Sequence, residues 1–250
     1  MFQGILSAIA FLTIIPQKRG WGVTSWTLSC FPFAGLLSGG VMLITHLVLN
    51  YVFPGKPGIT AGGVLLGYII LTGGLHLDGL SDTFDGLMST KTEKTDILHV
   101  LEDSHAGAGG IIAIVMDILL KYTLITCIPA GLLPFALCVF PVVSRWSMVL
   151  SMLVSKPAKN AGLGYSFISN AGAWNFALAT AFSILITAVF IPWTAVVLLF
   201  ASSVLIVSLW TIFLNRRFGG MTGDTLGSVN EISEIISLAV IAGTAAWKVL

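Results

Sequence analysis

Charge is what this chain has least of. Of its 250 residues 9% are charged, 12 Lys and Arg against 11 Asp and Glu, while 56% are hydrophobic. A soluble globular domain carries about 25% charged residues. A water-soluble fold of this size would lack the charge to cover its surface, so the composition is that of an integral membrane protein. The net charge of +1 leaves no basic excess, and no nucleic-acid partner is expected. Cysteine is scarce: Cys30, Cys127 and Cys138 lie in apolar runs without metal-ligand spacing and read as small core residues. The N-terminus lacks a basic segment and a cleavage site of small residues, so no signal peptide is expected. No strand-like alternation persists, which argues against a β-barrel. There is no clear internal repeat, no Gly-x-x-x-x-Gly-Lys-Ser/Thr phosphate loop and no nucleophilic serine elbow.

Long apolar runs are what the chain has instead. A bilayer-spanning helix needs about 20 mostly apolar residues, and six segments qualify, at roughly 28–50, 59–77, 111–128, 132–153, 174–191 and 193–214. A seventh, about 231–249, opens on Glu231 and Glu234 before turning apolar. The first sixteen residues, "MFQGILSAIAFLTIIP", are short for a span and end at Pro16. They read as a helix in the interface or packed on the bundle. The expected fold is all-α: a polytopic membrane helix bundle of about seven transmembrane helices plus a short N-terminal interfacial helix, forming one domain over 1–250. Gly35, Gly39 and Gly40 in the first span suit close helix packing, within one chain or between copies of a homo-oligomer.

Lys18, Arg19, Lys91, Lys94, Lys156, Lys159, Arg216 and Arg217 fall in one set of connections, and Lys56 and Lys248 in the other. The positive-inside rule then predicts a cytoplasmic N-terminus, an external C-terminus and a multi-pass protein of the cytoplasmic (inner) membrane. The cytoplasmic connections are long and hold glycine, polar and acidic residues, so the active site is expected there.

The densest acid lies in "GGLHLDGLSDTFDGLMS". Asp78, Asp82 and Asp85 stand at i, i+4 and i+7, which puts them on one face of a helix. Like charges on adjacent turns repel, and a divalent cation removes the penalty. Carboxylate ligation suits Mg²⁺ or Mn²⁺ rather than zinc, with the bland alternative a solvated helix end. Gly79 and Gly86 beside the acids leave room for a substrate phosphate. A second cluster, "EDSHAGAGG", offers Asp103 and Ser104, and the free N–H of Gly107 before the next span is suited to an anionic oxygen or simply to a flexible entry. A third, "RRFGGMTGDTLGSVNEISE", places Asp224 and Thr225 in a tight turn. Arg216 and Arg217 there either clamp phosphates or anchor the chain at the interface. Within the spans, Asp117 and Lys121 are four apart and should pair. Arg145 either reaches a phosphate in the site or partners a buried acid. His76 adjoins the aspartates, and His105 lies in the same cytoplasmic loop as Asp103.

Three acid-bearing segments on one membrane face suggest a Mg²⁺-assisted phosphoryl transfer, with a carboxylate or His76 taking a proton from an attacking alcohol. Together "GGLHLDGLSDTFDG", "EDSHAGAGG" and "GGMTGDTLG", with "FLTIIP", "FPFAGLLSG" and "GLG" in matching order, resemble the adenosylcobinamide-GDP ribazoletransferase (cobalamin synthase) family over nearly the whole chain. Met221 stands where the family pattern leads one to expect glutamine, and no departure touches a carboxylate. The resemblance implies a Mg²⁺-dependent enzyme that joins adenosylcobinamide-GDP to α-ribazole or its 5′-phosphate and releases GMP. It carries metal and diphosphate binding onto Asp78, Asp82, Asp85, Asp103 and Asp224. Asp82 or Asp85 becomes the preferred general base and His76 a substitute. Arg145, Ser104, Gly107, Arg217 and Thr225 are the further candidates for holding substrate. Two rival readings share some of the pattern. One is a CDP-alcohol phosphotransferase-like lipid enzyme, whose Asp-Gly-x-x-Ala-Arg signature is absent. The other is a cation-coupled transporter, which would put acids near the midplane.

Overall fold

A computed structural model of the chain describes residues 1–16, 24, 26–103 and 105–246, with the side chains of 245 and 246 excepted. The chain is helical throughout these residues. In order come α1 (Phe2–Leu12), α2 (Phe31–Val52), α3 (Pro57–Thr72), α4 (Leu75–Met88), α5 (Lys94–Val100), α6 (Ala108–Cys127), α7 (Leu133–Leu153), α8 (Leu163–Asn170), α9 (Ala173–Phe190), α10 (Trp193–Phe218) and α11 (Gly223–Ala246). Among the described residues the only extended pairing is an isolated bridge between Pro157 and Met221. Helices α2, α3, α6, α7, α9, α10 and α11 run back and forth between two ends of a bundle. Six of the crossings have the length and apolarity to span a bilayer, and α3 with α4 makes a seventh, broken one. The chain is thus a polytopic membrane helix bundle.

Proline starts the helices whose first N–H needs no partner: Pro32 in α2, Pro57 in α3 and Pro134 in α7. Helix α7 is the central post, with 89% of its apolar window buried, against 28% for α6, 22% for α9 and 28% for α10, which face outward. Glycines in α2 let its backbone lie directly on α7. A Cβ on Gly35 would stand 2.6 Å from the Pro141 carbonyl carbon, and one on Gly39 would stand 2.7 Å from the Cys138 Cα. These two glycines therefore serve packing within the chain, while Gly40 faces open space.

Two expected boundaries move. The segment expected to span 59–77 is cut at Thr72, because Gly73 and Gly74 are both left-handed, with φ of 63° and 69°. Two such residues in sequence end one helix and start the next at 87°. Helix α4 therefore leaves the crossing direction and lies over the end of the bundle. The last crossing begins at Gly223, well before Glu231. Thr222 and Thr225 cap its start reciprocally: Thr222 N–H donates to Thr225 Oγ1 (2.7 Å) and Thr225 N–H donates to Thr222 Oγ1 (3.2 Å).

That shift carries Glu231 and Glu234 into the bundle interior, where both are buried. Lys121 meets Asp117 at 3.0 Å and Glu234 at 2.7 Å, and it also pairs with Glu231. Arg145 meets Glu234 at 2.6 Å, and the Tyr68 hydroxyl bonds both of them. Asn230 donates to Glu231 (3.1 Å) and to Glu234 (2.9 Å). The expected Asp117–Lys121 pair is present, but it is one corner of a network tying α3, α6, α7 and α11. A charge in a bilayer interior is tolerated when paired in this way.

Candidate active site

One end of the bundle gathers most of the polar residues that the sequence singles out. Helix α4 lies against the first turns of α11, and glycine permits the contact. A Cβ on Gly79 would stand 2.6 Å from the Asp224 carbonyl oxygen, and one on Gly227 would stand 3.1 Å from the His76 carbonyl oxygen. The space expected beside Gly79 for a substrate phosphate is therefore filled by α11. That beside Gly86 is filled by Leu101 and by Phe218, whose ring atom would lie 3.0 Å from an added Cβ. This packing brings Asp224 to the acidic face of α4.

The aspartates then divide. Asp78 is exposed and, with Asp224, lines a cavity of about 580 Å³ at this end of the bundle. Asp82 is half-buried. Burial, and then the charges of Asp78, Asp224 and Asp85, push its carboxyl up from 3.8 to about 7. Asp85 turns away to cap α6, accepting the Gly107 N–H on Oδ2 and the Gly110 N–H on Oδ1, both at 2.8 Å. Glycine at Gly110 permits this close approach, since a Cβ there would stand 2.5 Å from Asp85 Oδ2 and 3.0 Å from the Ser81 carbonyl oxygen. The helix start expected to hold a substrate oxygen thus holds a carboxylate of the chain itself.

Other expected ligands have structural partners. Asp103 is exposed and accepts from the His105 N–H (3.0 Å) and pairs with its ring (2.8 Å). Among the described residues no hydrogen bond or ion pair joins its side chain to α4 or α11. These bonds hold the Asp103 carboxyl below its ordinary range. Ser104 lies outside the described residues. Thr225 is the α11 cap. Arg217 donates to the carbonyls of Ser89 (3.1 Å) and Lys91 (3.3 Å), fastening the connection after α4. Arg145 is fully buried on Glu234, which decides for the structural alternative, and its Nη2 comes within 3.5 Å of His76 Nδ1. His76 is 2% exposed, and its Nε2 has no hydrogen-bond partner among the described residues.

The cavity is mostly apolar. Phe167 of α8 packs edge-on against Phe11 of α1 (4.5 Å between centroids) and Phe31 of α2 (5.6 Å), forming one wall. Met148 and Met152 of α7 form another. At the rim, the loop after α7 is tied to the loop before α11: Ala158 N–H donates to the Met221 carbonyl and Met221 N–H donates to the Lys156 carbonyl, both at 2.9 Å. Gly164 is pressed against the start of α11, where a Cβ would stand 3.0 Å from the Thr222 carbonyl carbon. Lys159, which in the sequence served only to orient the chain, lines this rim. Its membership had no signal in spacing, since the tie that places it joins residues over sixty positions apart.

Among the described residues no three His, Cys, Asp or Glu side chains form a ready-made metal cage. The partly open set of carboxylates formed by Asp78, Asp82 and Asp224 is a donor chemistry that fits Mg²⁺, which usually takes one or two carboxylates and completes its shell with water and substrate phosphate.

Fold and site together define a multi-pass membrane enzyme with an acid-rimmed, largely apolar cavity at one end of its bundle. The profile of the cobalamin-5-phosphate synthase family matches residues 4–242. Adenosylcobinamide-GDP ribazoletransferase of Clostridium tetani is 34% identical over 239 residues, covering 94% of each chain. The enzyme of that name from Caldanaerobacter subterraneus is 37% identical over 240 residues, 94% of this chain and 96% of the relative. That of Clostridium acetobutylicum is 33% identical over 248 residues, 96% of each. No solved structure matches the chain at a significant level. The chain belongs to the cobalamin-5-phosphate synthase family and is a transferase.

Proposed function

We propose that this transferase joins adenosylcobinamide-GDP to α-ribazole or α-ribazole 5′-phosphate, with release of GMP. The observation that carries the reading is the pairing of Asp78 and Asp224 on one cavity whose remaining walls are largely apolar. Such a cavity suits a flat, apolar base, while its acidic rim suits the ribose and the diphosphate. The reaction forms a P–O bond between the ribose hydroxyl of α-ribazole and the phosphorus next to the corrinoid. The diphosphate bridge breaks, and GMP leaves with its electron pair. Asp82, with a carboxyl near 7, is matched to take the hydroxyl proton. Asp78 and Asp224 would hold Mg²⁺, which supplies charge neutralisation for the diphosphate. Asp85 positions the start of α6, and Arg145 supports α4 through His76.

Lys91, Lys94, Lys156 and Lys159 in the connections, and Arg216 and Arg217 in the last turn of α10, lie at the end of the bundle bearing the site, and Lys56 at the other. By the positive-inside rule this end is cytoplasmic. A lipid phosphotransferase is disfavoured by family membership, and a transporter by the position of Asp78, Asp82 and Asp224 at one end.

The test is reconstitution in lipid with Mg²⁺, adenosylcobinamide-GDP and α-ribazole. Equal amounts of GMP and joined corrinoid are expected, and neither should form with Asp82→Asn. Absence of product under conditions where a relative of established activity works would defeat the reading.

A further inference from the structure

The charged groups of the site are chiefly carboxylates, yet its proposed substrate is a diphosphate. Two carboxylates at the rim would repel that group unless a cation stood with them. Arg145 and Arg217 are committed elsewhere, one to Glu234 and one to backbone carbonyls. Lys159 is the lone Lys or Arg among the described residues lining the cavity. Its backbone is fixed just upstream by the paired bonds between Lys156, Ala158 and Met221. Gly220 makes that approach possible, since a Cβ there would stand 2.6 Å from the Ala158 nitrogen. The Lys159 side chain shares the cavity with Asp78 and Asp224. Its ammonium is also 2.7 Å from Glu102 Oε1, in a pair whose side chains are 30% and 53% exposed. An ion pair that open to solvent contributes little and separates readily.

We propose that Lys159 is a phosphate-binding residue of the active site, parked on Glu102 and transferred to the diphosphate when the nucleotide substrate enters. The proposal rests on the function proposed above for the identity of the nucleotide. In this exchange Glu102 competes with the substrate for one ammonium. A structural pin and an exchangeable partner therefore predict opposite effects at Glu102: a pin is broken from either side, whereas removing a competitor frees Lys159.

The experiment measures binding of GDP, with Mg²⁺, to the full-length protein in detergent or nanodiscs by calorimetry. It compares wild type with Lys159→Ala, Lys159→Arg and Glu102→Gln. Without its charge-assisted hydrogen bond to phosphate, Lys159→Ala should bind GDP more weakly by roughly tenfold to a hundredfold. Lys159→Arg should retain most of the affinity, and Glu102→Gln should bind GDP more tightly than wild type. In turnover, Lys159→Ala should raise KM for the nucleotide substrate and leave KM for α-ribazole unchanged. Equal weakening by Lys159→Ala and Glu102→Gln would make the pair a structural pin and overturn the proposal. So would unaltered GDP binding in Lys159→Ala, or no GDP binding by the wild type. Should Lys159→Ala fail to fold, Glu102→Gln decides the matter: tighter GDP binding than wild type supports the exchange, and weaker or equal binding overturns it. A wild type that binds GDP through Lys159 but yields no joined corrinoid would sink the functional reading alone.

Discussion

At the scale of single residues, identical side chains on one helix face do different work. Asp78, Asp82 and Asp85 are equivalent by spacing, yet Asp85 is consumed by two backbone amides of α6 while Asp82 is raised by burial and by the like charges around it. The consequence is measurable. Between 3.8 and about 7 the metal-free folded protein keeps a proton on Asp82 that the unfolded chain has released. More protons bound in the folded state mean that stability falls as pH rises through that window and levels off above it. Thermal melts of metal-free protein from about pH 5 to about pH 8 should show this decline, with a weaker one in Asp82→Asn. Addition of Mg²⁺ at about pH 8 should restore part of the stability in wild type, because a ligand bound only to the folded state stabilises it. A flat profile in wild type would exclude the burial and like-charge repulsion assigned to Asp82.

At the scale of elements, glycine decides how closely helices approach. The contact of α4 with α11 has room for no side chain at Gly79. Gly79→Val should push α4 off Asp224, lower stability by about 1–3 kcal/mol and abolish turnover, measured by denaturant melts and product formation. Val at Gly40, which meets nothing within 4 Å, should do neither. Hydropathy made the apolar crossings legible, since a run of about 20 apolar residues has few other homes. The bend at Gly73–Gly74 carried a signal, a paired glycine, which apolarity on both sides outweighed. The fate of Asp85 carried none: its partners are main-chain amides 22 and 25 residues on, and main-chain donors leave no trace in residue type. For the same reason Gly107 read as a site for a foreign anion.

At the scale of the whole molecule, the buried charges hold the bundle in one register. Lys121, Asp117, Arg145, Glu231 and Glu234 come from three crossings and bond chiefly to one another, Tyr68, Ser144 and Asn230. Lys121→Met leaves Asp117 and Glu231 without their cation, while Glu234 keeps Arg145, and should cost about 3–5 kcal/mol in unfolding from detergent micelles. Orientation is tested at the same scale. In a cysteine-free background, Lys56→Cys should react with an impermeant reagent added to intact cells, and Thr90→Cys should react once the membrane is opened. The reverse pattern would invert the proposed topology.

Helix α11 has the lowest mean hydropathy of the six long spans, 1.3 against 2.5 for α10, and it is the last of them to leave the ribosome. Its glutamates find Lys121 and Arg145 only in helices made earlier and already lodged in the bilayer. Biogenesis is therefore ordered: the final segment enters as a guest of the preceding ones rather than on its own greasiness. Its first turn carries Asp224, so the same late arrival completes the cavity rim, and a chain stalled before that step would expose neither a finished pocket nor a premature activity.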